Sequence, residues 1–258
     1  SIIRWFDKLN YPHPKLPECI AIDEFRGNAG GEKFQCNIAD PVKHKVIDIL
    51  PGRNTENLCK HFLEYPYKER AEVKKIIMDL STLFRSVAKT MFPEAKIVAD
   101  KFHVIRVVIN SLENVRKLIQ KEFHATKRKW FKRSRYLLLK PEYKLTDEDK
   151  AELARMLNSS YDLEKAYVLK ERFYEVFRKQ TRTEAKKELG NWLLLAADLS
   201  LSEFRHCITT FSNWKTEIAN IIGERVSNGF IEGSNNKIKV LKRISYGVQN
   251  FDRFRNRI

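Results

Sequence analysis

Two short apolar runs stop at an aspartate, "CIAID" at Asp23 and "KIIMD" at Asp79. Each has the length and composition of a buried strand, so each carboxylate is expected where its strand gives out. Neighbouring strands lie about 4.8 Å apart, and carboxylates at matching ends of adjacent strands can share one divalent cation. Two oxygen-ligated ions about 3.5 to 4 Å apart activate an attacking oxygen and stabilise a leaving one in phosphoryl transfer. Either aspartate alone reads as the first residue of a turn; the pair is what suggests a site.

A third carboxylate, Glu232, lies in "SNGFIEGSNNKIKVLKR", a stretch otherwise made of donors. A helix beginning near Asn228 sets Glu232, Asn236, Lys239 and Arg243 along one face and Phe230, Ile238, Leu241 and Ile244 on the opposite one. Asn235 and Asn236 are then expected to bond sugar or phosphate oxygens, and Lys239, Lys242 and Arg243 to neutralise phosphates. Gly233 costs about 1 kcal/mol relative to Ala inside a helix, which suggests crowding there by ligand or backbone. A solvated helix face with a chance glutamate is the competing reading.

A second basic stretch, "KEFHATKRKWFKRSRYLLLK", interleaves Lys127, Arg128, Lys129, Lys132 and Arg133 with Trp130, Phe131 and Tyr136. Phosphate neutralisation joined to aromatic stacking suits DNA with unpaired bases. The same pattern equally describes a basic helix whose aromatics face the core. Trp192 and Trp214 stand in apolar helical contexts and are expected in the core.

These residues need elements to position them. "ECIAIDEF", "EKFQCNIAD" and "HKVIDILPG" read as three strands, the first two joined by the glycine-containing "RGNAGG". "NTENLCKHFLEYP" reads as a capped helix, "VKKIIMDLS" as a buried strand, "STLFRSVAKTMFPEA" as a helix ending at Pro93, and "KIVADKFHV" as a fifth strand. The order is β-β-β-α-β-α-β. From residue 104 to 222 helical periodicity has no competitor, and the acidic cluster from Asp147 to Glu152 marks a helix start. Three parts follow: 1–103 as the first part of a catalytic core, 104–222 as a helical insertion, and 223–258 as the remainder of the core.

Composition limits the partners. The 258 residues carry 49 Lys and Arg against 33 Asp and Glu, a net charge of +16. Such an excess favours a polyanion, nucleic acid before an anionic membrane. No uncharged apolar run approaches the roughly 20 residues that span a bilayer, so a soluble, intracellular protein with no membrane partner is expected. Cys19, Cys36, Cys59 and Cys207 form no CxxC pair, which speaks against a zinc knuckle or disulfide framework and for a reducing compartment. The chain starts at Ser1 rather than Met, as a piece of a longer protein would.

"AIDEF", "IIMDLS", "FPEAKIVADKFHVI" and "SNGFIEGSNNKIKVLKRISYGVQNFDRFRNRI" occur in the order that resembles the catalytic domain of the ISL-three family of bacterial insertion-sequence transposases. The resemblance covers nearly the whole chain and implies a ribonuclease H-like α/β fold: a mixed five-stranded sheet flanked by helices, with a large all-helical insertion before the last catalytic helix. It implies a DDE-type enzyme in which Asp23, Asp79 and Glu232 bind two Mg²⁺ (or Mn²⁺) ions and drive DNA cleavage and strand transfer. Asp100 and His103 match the family pattern too, as companions of the metal site, although a helix cap and helix-start histidine explain them as well. Glu24 competes with Asp23, but alternation sends the two to opposite faces of a strand. The partners implied are transposon ends and target DNA, handled by a homodimer or larger synaptic complex in the bacterial cytoplasm. Family members resemble longer chains with a zinc-binding, helix-turn-helix region ahead of this domain, so this chain is not expected to recognise terminal repeats specifically. A non-catalytic DNA-binding relic and a structure-selective nuclease of the same fold are the alternatives.

Overall fold

A computed structural model describes residues 13–27, 29–224, 226, 228–245 and 248–258. The opening "SIIRWFDKLN", Asn28 of the first glycine loop, and Tyr246 and Gly247 of the last motif lie outside the described residues.

The chain divides into two compact units, one made of residues up to Lys101 together with Glu224–Ile258, the other of Phe102–Gly223. In the first, the strands are β1 (Cys19–Arg26), β2 (Phe34–Asp40), β3 (Lys45–Leu50), β4 (Lys75–Met78) and β5 (Lys96–Ala99). They form one mixed sheet in the order β3-β2-β1-β4-β5. β1 pairs antiparallel with β2 and parallel with β4, and β4 pairs parallel with β5. Gly30 and Gly31, at φ 67° and 83°, turn the chain from β1 into β2, a conformation glycine takes without steric cost.

Between β3 and β4 come α1 (Thr55–Leu63) and a one-turn helix α2 (Tyr67–Ala71); α3 (Thr82–Met91) joins β4 to β5. Asn54 caps α1 by accepting from the Asn57 N–H, and Ser81 caps α3 by accepting from the Phe84 N–H. The second helix ahead of β4 is an addition to the expected element order. Pro66 separates it from α1, and five residues are too few to display a helical period.

The second unit contains only helices among its described residues: α4 (Lys101–Lys121, whose first residue belongs to the sheet unit), α5 (Ala125–Arg133), α6 (Arg135–Leu139), α7 (Asp147–Leu157), α8 (Tyr161–Val176), α9 (Arg182–Asp198), α10 (Arg205–Asn213) and α11 (Lys215–Ala219), with two short 3₁₀ turns. α7 starts where the acidic cluster begins, with Thr146 accepting from the Asp149 N–H. A capping box between Thr181 and Glu184 opens α9. Phe173, Trp192 and Phe211 form the aromatic centre, with ring centroids 5.0–5.7 Å apart, and the Trp192 indole donates to the Leu169 carbonyl at 2.8 Å. Trp214 is buried as well, so both tryptophans are core residues as expected.

The chain then returns to the sheet unit as α12 (Gly229–Ile244) and α13 (Phe251–Arg255). Ile231 packs on Ala21 of β1 and Ala39 of β2. Ile238 packs on Phe25, Ile49 and Phe254. α12 therefore runs along β1 in the same direction, covering the face that carries Ala21, Asp23 and Phe25. Five mixed strands with helices on them form the ribonuclease H-like arrangement.

Candidate active site

β1 is the central strand, and Asp23 lies on the face that α12 covers. In the parallel register Ala21 stands beside Ile77 and Ile22 beside Met78, so the residues that come next are Asp23 on β1 and Asp79 directly after β4. The β4–β5 ladder sets Ile77 beside Val98 and Met78 beside Ala99, and continues with the Asp100 N–H donating to the Met78 carbonyl at 2.7 Å. Asp79 and Asp100 thus stand one residue past the ends of β4 and β5, at a strand spacing of about 4.8 Å, whereas Asp23 lies mid-strand, because β1 stays paired with β2 as far as Arg26 rather than giving out at the aspartate. The carboxyl ends of strands are where open α/β sheets hold ligands.

Each carboxylate has a local reason for its orientation. Asp23 is buried; its Oδ1 accepts from the Glu24 N–H and its Oδ2 from the Asn235 side-chain amide, both at 2.8 Å. Asn235 in turn accepts from Asn37 at 2.8 Å, and Asn37 is the cross-strand partner of Asp23. The Asn37 amide also reaches Ser234 at 3.3 Å. Asp79 accepts from the Ser81 N–H at 3.1 Å, so the turn that starts α3 also holds the carboxylate. Glu24 points to the other face and is ion-paired with Arg53, as strand alternation required.

Glu232 is exposed in the first turn of α12, three residues ahead of Asn235. Positions three apart on a helix are neighbours, with Cβ atoms about 5–6 Å apart. The contact between Asn235 and Asp23 thereby ties the turn that displays Glu232 to β1. Burial first, then the carboxylates of Asp23, Glu24, Asp79 and Asp48, push the Cys36 thiol of β2 well above its ordinary value.

Several expected surface roles differ in the structure. Asn235 is buried against Asp23 and Asn37, not offered to phosphates. The inward stripe of α12 is Ile231, Asn235 and Ile238, while Ile244 is 63% exposed and Phe230, half-buried, stacks on His44. A Cβ on Gly233 would meet nothing within 4 Å, so no protein group crowds it. Asn236 and Arg243 are exposed and Lys239 and Lys242 half-buried along the flank shared with Glu232. Burial and the nearby Arg26 lower the Lys242 ammonium, placing these two cations close together.

In the helical unit, Arg128, Lys129, Lys132 and Arg133 of α5 are exposed, and Lys127 lies over the Phe123 ring at 4.1 Å. Phe131 is buried and the Trp130 indole donates to Glu152 of α7. These aromatics anchor α5, in line with the second reading of that stretch, and the cations remain on its surface. His103 is half-buried in the first turn of α4, in the helical unit. No helix among the described residues is long and apolar enough to cross a membrane.

Against known proteins, the family model described as a transposase, of the ISL3 (ISL-three) type, matches residues 20–258. The chain belongs to the ISL3 family of transposases. Among its curated relatives is the transposase for insertion sequence element IS1001 of Bordetella parapertussis, 26% identical over 92% of this chain and 59% of the relative. The transposase for IS1557 of Mycobacterium tuberculosis is 24% identical over 89% of this chain and 56% of its own length. This ISL3 chain therefore spans somewhat over half the length of the transposases it matches. A shorter match, 31% identical over 40% of the chain, is to a Lactococcus lactis protein named an ATP-dependent protease. No solved structure matches.

Proposed function

We propose that this chain is the DNA-cleaving and strand-transfer domain of an ISL3 transposase, working through Asp23, Asp79 and Glu232 with two Mg²⁺ or Mn²⁺ ions. The reading rests on Asp23, which lies on the face of β1 covered by the helix that bears Glu232 and is tied to that helix through Asn235, with Asp79 following directly on Met78, the partner of Ile22 in the adjacent strand. The donor set fits hard divalent cations, which take carboxylate oxygens. When bound, such ions supply an activated attacking oxygen and stabilise the leaving oxygen of a phosphodiester.

The protein's own groups do the rest. Asn235 and the Glu24 amide hold the Asp23 carboxylate in one orientation, and the Ser81 amide holds Asp79. Asp100, next in line after Asp79, and His103 are proposed to position the site or the strand bound there. Asn236, Lys239, Lys242 and Arg243 bind backbone phosphates beside Glu232, and Lys127, Arg128, Lys129, Lys132 and Arg133 of the inserted helical unit bind flanking DNA. Joining two transposon ends to a target requires two active sites, so a dimer or larger synaptic assembly in the bacterial cytoplasm is part of the proposal.

Asp23→Asn, Asp79→Asn and Glu232→Gln test it. Each is expected to abolish strand cleavage and to weaken calorimetric Mn²⁺ binding, with non-specific DNA binding kept within a few-fold. Wild-type nicking by Asp79→Asn in Mg²⁺ would overturn the assignment. Cleavage without joining of a pre-cut end to plasmid would reduce the activity to that of a nuclease.

A further inference from the structure

A second set of ligating side chains lies away from the strand ends. His13, ahead of β1, Asp48 of β3 and His61 of α1 each offer a ligand atom, and these atoms all lie within 4.8 Å of one another. The His61 Nδ1 is 3.6 Å from the Asp48 Oδ2, and the His13 Nε2 is 2.9 Å from a carboxylate oxygen of Glu64, at the end of α1. The two imidazoles meet edge-on at 5.6 Å between centroids, and the Tyr65 ring flanks both. They line a cleft of about 450 Å³.

From this constellation we infer that His13, Asp48 and His61, with Glu64 available as a fourth ligand, form a site for a borderline transition-metal ion of the Zn²⁺ class that ties the chain's entry segment to the sheet. Metal–ligand distances of about 2.0–2.2 Å in a tetrahedral site put neighbouring ligand atoms roughly 3.3–3.6 Å apart. At 3.6 Å, His61 and Asp48 are too far apart for a hydrogen bond but sit at that tetrahedral edge. A donor set of imidazoles and carboxylate selects Zn²⁺, Co²⁺ or Ni²⁺ over Mg²⁺, which prefers oxygen alone.

Beside the cluster, the Nε2 of the buried His61 and the hydroxyl of the buried Tyr65 have no hydrogen-bond partner; His61 gives one nitrogen to an ion, and the geometry toward Asp48 favours Nδ1. Asp48 is oriented from behind: its Oδ1 accepts from the Ile49 N–H at 2.7 Å and from the Arg255 Nε at 2.5 Å, and its Oδ2 from the other Arg255 nitrogen at 2.7 Å. Metal-binding carboxylates are commonly held by such outer hydrogen bonds. An ion here would connect four separate segments: the stretch ahead of β1, β3, α1 and, through Arg255, α13. The inference stands apart from the proposed active site and shares no residue with it.

The test uses the whole 258-residue chain carrying Asp23→Asn and Asp79→Asn, which silences the other candidate site. After chelator treatment it is titrated with Zn²⁺ by calorimetry and followed by thermal unfolding. One Zn²⁺ per chain and a rise of several degrees in the unfolding midpoint are expected. His13→Ala, at a largely solvent-facing position, and His61→Asn should each weaken binding by at least about 10–100-fold and lose the thermal shift. Co²⁺ loading should give visible tetrahedral bands without a thiolate charge-transfer band, which excludes Cys59. Unchanged affinity in His13→Ala, absence of stoichiometric binding, or a thiolate band would overturn the site. Should His61→Asn fail to fold, His13→Ala decides alone. Mg²⁺-dependent cleavage by the parent chain reports separately on the transposase reading.

Discussion

Asn235 is the residue on which the candidate site turns. Its amide donates to Asp23 and accepts from Asn37, so one side chain links β1, β2 and α12 in the buried space behind the carboxylate. Asn235→Ala leaves a buried carboxylate oxygen and a buried amide N–H without that partner, at a cost of about 1–3 kcal/mol in chemical denaturation. The Asp23 carboxylate then loses its fixed orientation, and Mn²⁺ affinity is expected to fall about 10–100-fold, as second-layer changes at metal sites do. Asn235→Asp should be worse at neutral pH, because it faces one carboxylate with another. Equal Mn²⁺ titrations for Asn235→Ala and parent would remove its positioning role. The sequence displayed Asn235 only as one donor in a donor-rich stretch, and its burial depends on the rotation of α12, which Ile231 and Ile238 set by packing on the sheet.

Among the elements, α12 and the start of β4 and β5 make separate predictions. Gly233 lies in the helix interior with open space where a Cβ would go. Gly233→Ala should raise stability by up to about 1 kcal/mol. If the DNA backbone approaches that turn beside Glu232, the same variant binds DNA more weakly while melting higher, and the two measurements separate ligand contact from helix propensity. At the other end of the parallel strands, Glu224 accepts from Lys75 of β4 at 2.6 Å and from Lys96 of β5 at 2.5 Å, where the chain re-enters the sheet unit. Burial alone would raise the Glu224 carboxyl, but the hydrogen bonds and charges of the two lysines outweigh it and hold it below its ordinary value. A depressed carboxylate contributes stability that is present above its unfolded pKa, about 4.3, and is lost as pH falls through the lower folded value. Glu224→Gln should therefore cost about 1–2 kcal/mol near pH 7, with the gap to the parent closing below about pH 4 in denaturation series. A gap that is constant with pH would show that the loss is packing rather than charge. The strands and capped helices were legible because period and caps are local, whereas α2 escaped because five residues after a proline carry no period.

On the scale of the whole molecule, the net charge of +16 predicts DNA binding that weakens steeply with salt. Replacing Arg128, Lys129, Lys132 and Arg133 by Ala should flatten the log K against log salt slope by about 0.9 for each phosphate no longer neutralised, with Mn²⁺ titration of the sheet unit unchanged. An unaltered slope would exclude α5 as a DNA surface. The sequence by itself determined the strand that carries Asp23 and the strand that leads into Asp79, the helical run after β5, the charge, and the motifs that carry the family likeness, because each is written within a few dozen residues. Only the tertiary structure decided that Asp100 follows Asp79 in register, that Asn235 turns inward to Asp23, and that His13, Asp48 and His61 converge. Those are pairings between distant segments, and nothing in local spacing encodes which strand lies beside which or how a helix is rotated on a sheet. Burial of the apolar faces selects both, and the polar groups that meet are carried there by that packing.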